Sequence, residues 1–321
     1  MTPAPPATPE AAAPYVIVGT MNFGRRTPEA EARRVVERAL ERGVRSFDTA
    51  NLYNDGASEA ILGRALGARR AEVSVATKVG LGRAGGKPEG LSPERLPRAL
   101  DESLARLGTE YVDLYYLHAP DRAVPIEATL GAVAALLESG KARAWGVSNY
   151  ASWQVLEMIT WCDARGVPRP ALSQVLYNVL VRQIEIEYLA FARRYRLPTA
   201  VYNPLAGGLL AGRHDRSRPA PPGSRFDQNP LYRRRYWTDP FFALAAACAD
   251  VARDEGVAPA RLAYGWLAAR PGVDAVLVGP GDVDQLDAAL DGCAYRPPPG
   301  AMKRLDDLYR DYLGTDASYA R

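Results

Sequence analysis

Lysine is scarce in this chain: among 40 basic residues, only Lys78, Lys87, Lys141 and Lys303 carry an ammonium. Histidine is scarcer, present only as His118 and His214. The three cysteines, Cys162, Cys248 and Cys293, are far apart, odd in number and without metal-ligand spacing. That excludes a disulfide framework, calls for no metal and fits a reducing compartment. Long apolar runs are missing too, since Phe241 to Ala249 is too short to cross a bilayer. Net charge is only +3 with the basic residues scattered, so a nucleic-acid surface is not indicated. Residues 1–14, almost all Ala, Pro and Thr, lack the basic and apolar regions of a signal peptide and read as a flexible tail. These absences lead to the expectation of a cytoplasmic protein with neither membrane nor nucleic acid as partner.

Against that background four ionisable side chains stand out. Asp48 and Tyr53 lie in Ser46-Phe-Asp-Thr-Ala-Asn-Leu-Tyr53, Lys78 closes Val73-Ser-Val-Ala-Thr-Lys78, and His118 closes Tyr111-Val-Asp-Leu-Tyr-Tyr-Leu-His118. Strands of a parallel sheet covered on both faces read as continuous apolar runs, and β/α barrels carry their chemistry at the carboxyl ends of such strands. Where arginine is the usual cation, a lysine at a strand end is either chance or a demand for a compact ammonium that perturbs a neighbour.

A strand-then-helix alternation recurs about eight times. Strands are expected at 16–20, 44–48, 73–77, 111–117, 144–148, 171–175, 199–202 and 275–278. Helices are expected at 28–42, 59–66, 93–107, 126–139, 152–165, 182–194 and 241–269, with Thr27-Pro28 and Ser92-Pro93 as starts. Alternation at this period predicts a parallel sheet, and eight units without a linker predict closure into one α/β (β/α)8 barrel over residues 15–321. The Pro-, Arg- and aromatic-rich connection 207–239 is too long to be a mere link. It, a final helix at 299–312 and the tail after it are expected over the barrel mouth.

Gly80-Leu-Gly82-Arg-Ala-Gly85 matches a dinucleotide-binding glycine pattern, but the Gly-Lys-Pro-Glu-Gly that follows cannot open a helix, so a Rossmann site is set aside. The set of four carries more chemistry. A tyrosine hydroxyl is a weak acid near neutrality, and an ammonium beside it stabilises its anion; a depression of two pKa units corresponds to about 3 kcal/mol. Lys78 can supply that charge, Asp48 can hold Lys78, and His118 can hydrogen-bond a substrate oxygen. Such a set suits proton transfer to a carbonyl oxygen gaining negative charge. No side chain supplies hydride, so a nicotinamide cofactor is implied.

These motifs, with Gly19-Thr-Met21, Ser58-Glu59, Leu117-His-Ala-Pro-Asp121, Gly146-Val-Ser-Asn-Tyr150, Gln174, Tyr177-Asn178 and Tyr202-Asn-Pro-Leu-Ala-Gly-Gly-Leu-Leu210, resemble an aldo-keto reductase over residues 15–321. Ser148-Asn-Tyr-Ala-Ser-Trp153, the Tyr232 to Trp237 block and the Ser-Tyr-Ala-Arg321 terminus resemble its aflatoxin-aldehyde and succinic-semialdehyde reductase branch. The resemblance implies Tyr53 as general acid, Lys78 and Asp48 as its tuning pair, and His118 as the carbonyl-orienting group. It implies a cofactor site formed by Thr20, Met21, Asp48, Ser148, Asn149, Gln174 and Tyr202, by Asn203, Pro204, Leu205, Ala206, Gly207, Gly208, Leu209, Gly212, Arg213 and Arg225, and by Gly279, Pro280, Gly281, Asp282 and Gln285. Tyr232 and Arg321, with His118, are implied on the substrate side. NADPH is the implied cofactor, yet where the family often carries Ser or Lys with a downstream Arg and Asn, this chain has Asp282, Asp284, Gln285 and Ala289. Those acids either oppose a ribose 2′-phosphate, favouring NADH, or Asp282 caps a helix whose first amides receive the phosphate with Arg225. The expected activity is NADPH-dependent reduction of an aldehyde or ketone. A barrel aldolase using Lys78 as Schiff base and a cofactor-binding regulatory subunit resembling potassium-channel β subunits are its rivals.

Overall fold

The computed structural model describes residues 15–320; the expected N-terminal tail and Arg321 lie outside them. Eight parallel strands close into a barrel: β1 (Tyr15–Gly19), β2 (Ser46–Asp48), β3 (Ser74–Val79), β4 (Leu114–Leu117), β5 (Trp145–Ser148), β6 (Leu172–Leu176), β7 (Thr199–Tyr202) and β8 (Ala275–Val278), with β8 returning to β1. Helices α1 (Glu29–Glu41), α2 (Ala57–Leu66), α3 (Arg95–Leu107), α4 (Ile126–Glu138), α5 (Ser152–Arg165) and α6 (Tyr188–Tyr195) follow β1 to β6. After β7 come α7 (Pro230–Tyr236), α8 (Asp239–Asp254) and α9 (Pro259–Ala268), and after β8 come α10 (Val283–Ala294) and α11 (Pro299–Leu313).

Strand alternation sorts the side chains between two cores. Phe47, Val75, Tyr115, Leu117, Trp145, Val147, Val175 and Val201 point outward into the apolar layer under the helices. Ile17, Ala76, Tyr116, Leu172, Ala200 and Ala275 fill the lumen. Gly146 is required there, because a Cβ would come within 2.6 Å of Leu172 O and 2.8 Å of the Tyr116 ring. The lumen is therefore packed, and its upper layer alone is left for polar groups.

Several boundaries differ from expectation for local reasons. Thr27 does not cap α1: Pro28 stands at the cap position, and the Thr27 hydroxyl donates to Gly281 O at 2.9 Å, tying the loop to the other side of the barrel. Ser92 does accept a hydrogen bond from Arg95 N, at 3.2 Å, so α3 opens two residues after Pro93. The long apolar pattern 241–269 splits into α8 and α9 at Gly256, whose φ of 67° ends the helix, and Pro259 starts the next. The Gly80 to Gly85 segment becomes a two-residue antiparallel hairpin, Arg83–Ala84 with Lys87–Pro88, consistent with setting the Rossmann site aside. The loop after β7 is held by an aromatic cluster: Phe226 packs edge-on against His214 and Trp237, both at 4.8 Å, and Trp237 against Phe242 at 5.0 Å. Past α11, residues 315–320 are mostly exposed, and among the described residues their side chains hydrogen-bond only one another.

Candidate active site

Alternation on the strands aims the upper polar residues at one point. Asp48 ends β2 on the inward side, Lys78 lies two residues beyond inward Ala76 on β3, and His118 two beyond inward Tyr116 on β4. Both Asp48 and Lys78 are buried, 1% and 0% exposed, and they form an ion pair. Lys78 Nζ also donates to Thr49 O at 2.7 Å and stands 3.4 Å from the Tyr53 hydroxyl. The other Asp48 oxygen accepts Gln174 Nε2 at 2.9 Å. Tyr53 meets His118 edge to face, with ring centroids 6.1 Å apart. The four residues expected to work together do stand together.

Their electrostatics differ from expectation in one respect. Burial pushes the Tyr53 pKa up and outweighs Lys78, which pulls it down; Asp48 adds to the rise. The net shift is opposite to the depression expected from Lys78 alone. For Lys78, burial works downward, but Asp48 and then Tyr53 overcome it and hold the ammonium above its ordinary pKa. Burial and then Lys78 drive His118 well below the usual histidine value, so its ring is neutral at physiological pH. Its Nδ1 is buried without a partner among the described residues.

The residues expected around a cofactor separate into two groups. Ser148, Asn149, Gln174 and Tyr202 form one chain at the mouth: Ser148 Oγ donates to Gln174 O at 2.9 Å, Asn149 Nδ2 to Ser148 Oγ at 3.1 Å, and Tyr202 Oη to Asn149 Oδ1 at 2.8 Å. Asn149 and Asn203 hold φ of 65° and Ala206 of 50°, left-handed backbone that clusters where function demands a fixed shape. By contrast, the Thr20 side chain is buried and already engaged, with Ser58 Oγ at 2.7 Å and Asp48 O at 3.2 Å. The Ala206 and Leu209 side chains are likewise in the core, so only their backbone could meet a ligand. Gly207 must stay a glycine, with φ of 73° and Phe226 and Tyr232 atoms within 3.1 Å of an added Cβ. Gly212 and Arg213 lie at the exposed end of that turn.

On the opposite rim, Asn22 Nδ2 donates to Gly279 O at 3.1 Å and Pro280 O at 3.2 Å. Asp282 caps α10, accepting Gln285 N at 2.8 Å, as its expected capping role requires; the phosphate part of that expectation is not met by these amides. The Gln285 side chain turns back on Gly281 N at 3.1 Å. Sequence reasoning missed two residues here. Arg235 stands beside Tyr202, whose hydroxyl burial pushes up in pKa while Arg235 pulls it down, and it has no carboxylate partner among the described residues. Arg26 is tied by Nε and Nη2 to Gly223 O and Ser224 O, each at 3.0 Å. Both sat in arginine runs whose members only the fold could rank.

Among the described residues, four buried polar atoms at this mouth have no partner: His118 Nδ1, Asn22 Oδ1, Ser224 Oγ and Arg225 Nη1. Together with the Ser148–Asn149–Gln174 group, they fit a polar, phosphate-bearing cofactor. Among the described residues no cluster has the makings of a metal site, and no helix is long and apolar enough to cross a membrane.

A closed eight-stranded parallel barrel with Asp, Tyr, Lys and His at its mouth defines a class of carbonyl oxidoreductase. The chain belongs to the aldo/keto reductase family, whose model matches residues 15–310. It is 36% identical over 314 residues to the Mus musculus aflatoxin B1 aldehyde reductase member 2, covering 92% of this chain and 84% of that one. It is 38% identical over 295 residues to the Homo sapiens protein of the same name, covering 85% and 80%. A probable voltage-gated potassium channel subunit beta of Arabidopsis thaliana is 31% identical over 265 residues, covering 81% and 80%.

Proposed function

We propose that this protein reduces an aldehyde or ketone to the alcohol with NADPH, Tyr53 being the general acid. The observation that carries the reading is the Tyr53 hydroxyl 3.4 Å from a Lys78 ammonium that Asp48 holds in place. A bound nicotinamide dinucleotide supplies the hydride that no side chain here can. Ser148, Asn149 and Gln174 would hold its carboxamide, Tyr202 would stack on its ring, and the 203–213 turn with Arg225 and the 279–285 loop would embrace the rest.

The protein's own residues then move one proton. Tyr53, whose already high pKa burial raises further, is protonated at neutral pH. An alkoxide is more basic still, so the phenol proton transfers as charge develops on the substrate oxygen. Lys78 stabilises the phenolate left behind. Neutral His118 has one ring N–H to donate, and directed at the substrate oxygen it would orient the carbonyl. The aldolase rival is disfavoured by the same geometry, since a Schiff base needs a free amine and Lys78 is paired and kept charged. The regulatory rival would bind the same cofactor, and measured turnover of a carbonyl substrate separates it from the reductase reading.

Substrate class follows from charge. Arg235 beside Tyr202 leaves a guanidinium open at the mouth, and Arg321 is offered as a second clamp, so a carbonyl compound bearing a carboxylate suits the site. The relatives named as aldehyde reductases support the carbonyl part of this reading. The test is Tyr53→Phe, assayed for turnover and, by fluorescence titration, for cofactor affinity. Turnover is expected to fall by about 10² or more with affinity nearly unchanged. Retention of more than about a tenth of turnover would remove Tyr53 from the acid role.

A further inference from the structure

The first amides of α10 do not await a phosphate. Val283 N donates to Glu31 Oε1 at 3.2 Å, and Gln285 N to Asp282 Oδ1 at 2.8 Å. Two carboxylates therefore occupy the helix start where sequence reasoning placed a ribose phosphate. Any phosphate near the 279–281 loop needs its charge met from elsewhere.

The β1–α1 loop provides it. Asn22 and Thr27 tie that loop to Gly279, Pro280 and Gly281, and Arg26 leaves it to reach Gly223 O and Ser224 O. This holds the Arg26 guanidinium with Nη1 uncommitted. Arg225, next in the chain after Ser224, has a buried, unpartnered Nη1, and its Nη2 lies 3.5 Å from where a Cβ on Gly279 would be. The Ser224 hydroxyl, on the residue whose carbonyl Arg26 holds, is also buried without a partner among the described residues. Neither guanidinium has a carboxylate within ion-pair distance among the described residues; Asp227, the nearest acid acting on Arg26, spends an oxygen on Gly223 N at 2.8 Å. Burial and then Arg225 pull the Arg26 pKa below the ordinary arginine value. Two like charges and an idle hydroxyl converging without an anion is unfavourable unless an anion arrives.

We propose that Arg26, Arg225 and the Ser224 hydroxyl form a clamp for the 2′-phosphate of the cofactor's adenosine ribose, with Arg26 the residue that sets preference for the phosphorylated dinucleotide. It rests on the reading that the barrel binds a nicotinamide dinucleotide. Guanidinium suits the task because its donors pair bidentately with phosphate oxygens.

The experiment measures dissociation constants of NADPH and NADH for the full chain and for Arg26→Gln, by titration calorimetry without substrate. NADPH is expected to bind the wild type more tightly, and Arg26→Gln to weaken NADPH by about tenfold or more while changing NADH less than about twofold. Equal weakening of both would place Arg26 on the pyrophosphate or in loop folding and overturn the proposal. Equal wild-type affinities would overturn it as well. If the wild type binds neither, the nicotinamide reading itself fails, and the clamp with it. Should Arg26→Gln not fold, Arg26→Lys, which keeps the charge but not the fork, is read the same way, and a loss confined to NADPH supports the clamp.

Discussion

Lys78 and Asp48 meet from neighbouring strands as a fully buried ion pair, at the point where the packed lumen gives way to the polar mouth. Each residue is satisfied only through the other and a few fixed partners: Thr49 O for the lysine, Gln174 for the acid.

Removing one partner of that pair should cost more than removing both. Lys78→Met leaves a carboxylate buried against apolar groups and is expected to destabilise the fold by about 3–5 kcal/mol. Lys78→Met with Asp48→Asn should recover a large part of the loss. Urea unfolding of the two variants measures this, and a double variant no more stable than the single would show that the pair is not what Asp48 depends on.

Arg182 offers a second test, of architecture and not of chemistry. Its buried guanidinium donates to Asp306 at 2.6 Å and Leu305 O at 2.9 Å and lies over the Trp266 and Tyr309 rings, at 4.3 and 4.5 Å. It therefore docks α11 on the loop after β6. Arg182→Leu should destabilise by about 3 kcal/mol and speed hydrogen exchange in 299–313 above that of the barrel strands. Uniform acceleration everywhere, or none, would mean α11 is held by its apolar face alone.

Acid stability should report on His118. Its pKa is depressed in the folded protein, so below the unfolded value of about 6.5 the unfolded chain binds the extra proton. Stability is then whole above about pH 6.5 and is lost as pH falls from there towards the lower folded value, at up to about 1.4 kcal/mol per unit for this one group. His118→Asn should flatten the slope of unfolding free energy between pH 6.5 and 5. An unchanged slope would show that His118 titrates alike in both states.

Substrate charge should be read by Arg235. Arg235→Gln is expected to raise KM for an aldehyde bearing a carboxylate by about tenfold, the effect of losing one charged hydrogen bond, and to leave a neutral aldehyde of similar size nearly unaffected. Deleting Arg321 should act in the same direction if the terminus is a second clamp. Identical losses on both substrates, or none, would mean that the mouth does not sense charge.

The catalytic set was legible because each member is marked by local sequence: three close apolar runs at strand ends, and Tyr53 follows Asp48 by five residues. β7 and β8 were legible to the residue for the same reason, being short apolar runs between clear breaks. The adenosine side was not. Glu31 on the first amide of α10 and Arg26 against residue 224 are pairings about 200 residues or more apart in sequence, and nothing local in an arginine-rich loop distinguishes Arg26 from Arg25.

The sign of the Tyr53 shift belongs to the same class. Sequence can place an ammonium near a phenol, but the depth at which the hydroxyl lies is set by the closure of the barrel, and here burial outweighs the charge. The sequence by itself determined the alternation of strands and helices, hence the closed barrel, and the identity of the groups at its mouth, because periodicity and strand-end polarity are local properties of the chain. Tertiary structure alone decided which of the many arginines face one another without an acid between them. That depends on which loops the barrel brings side by side, and so on contacts between residues that no local pattern relates.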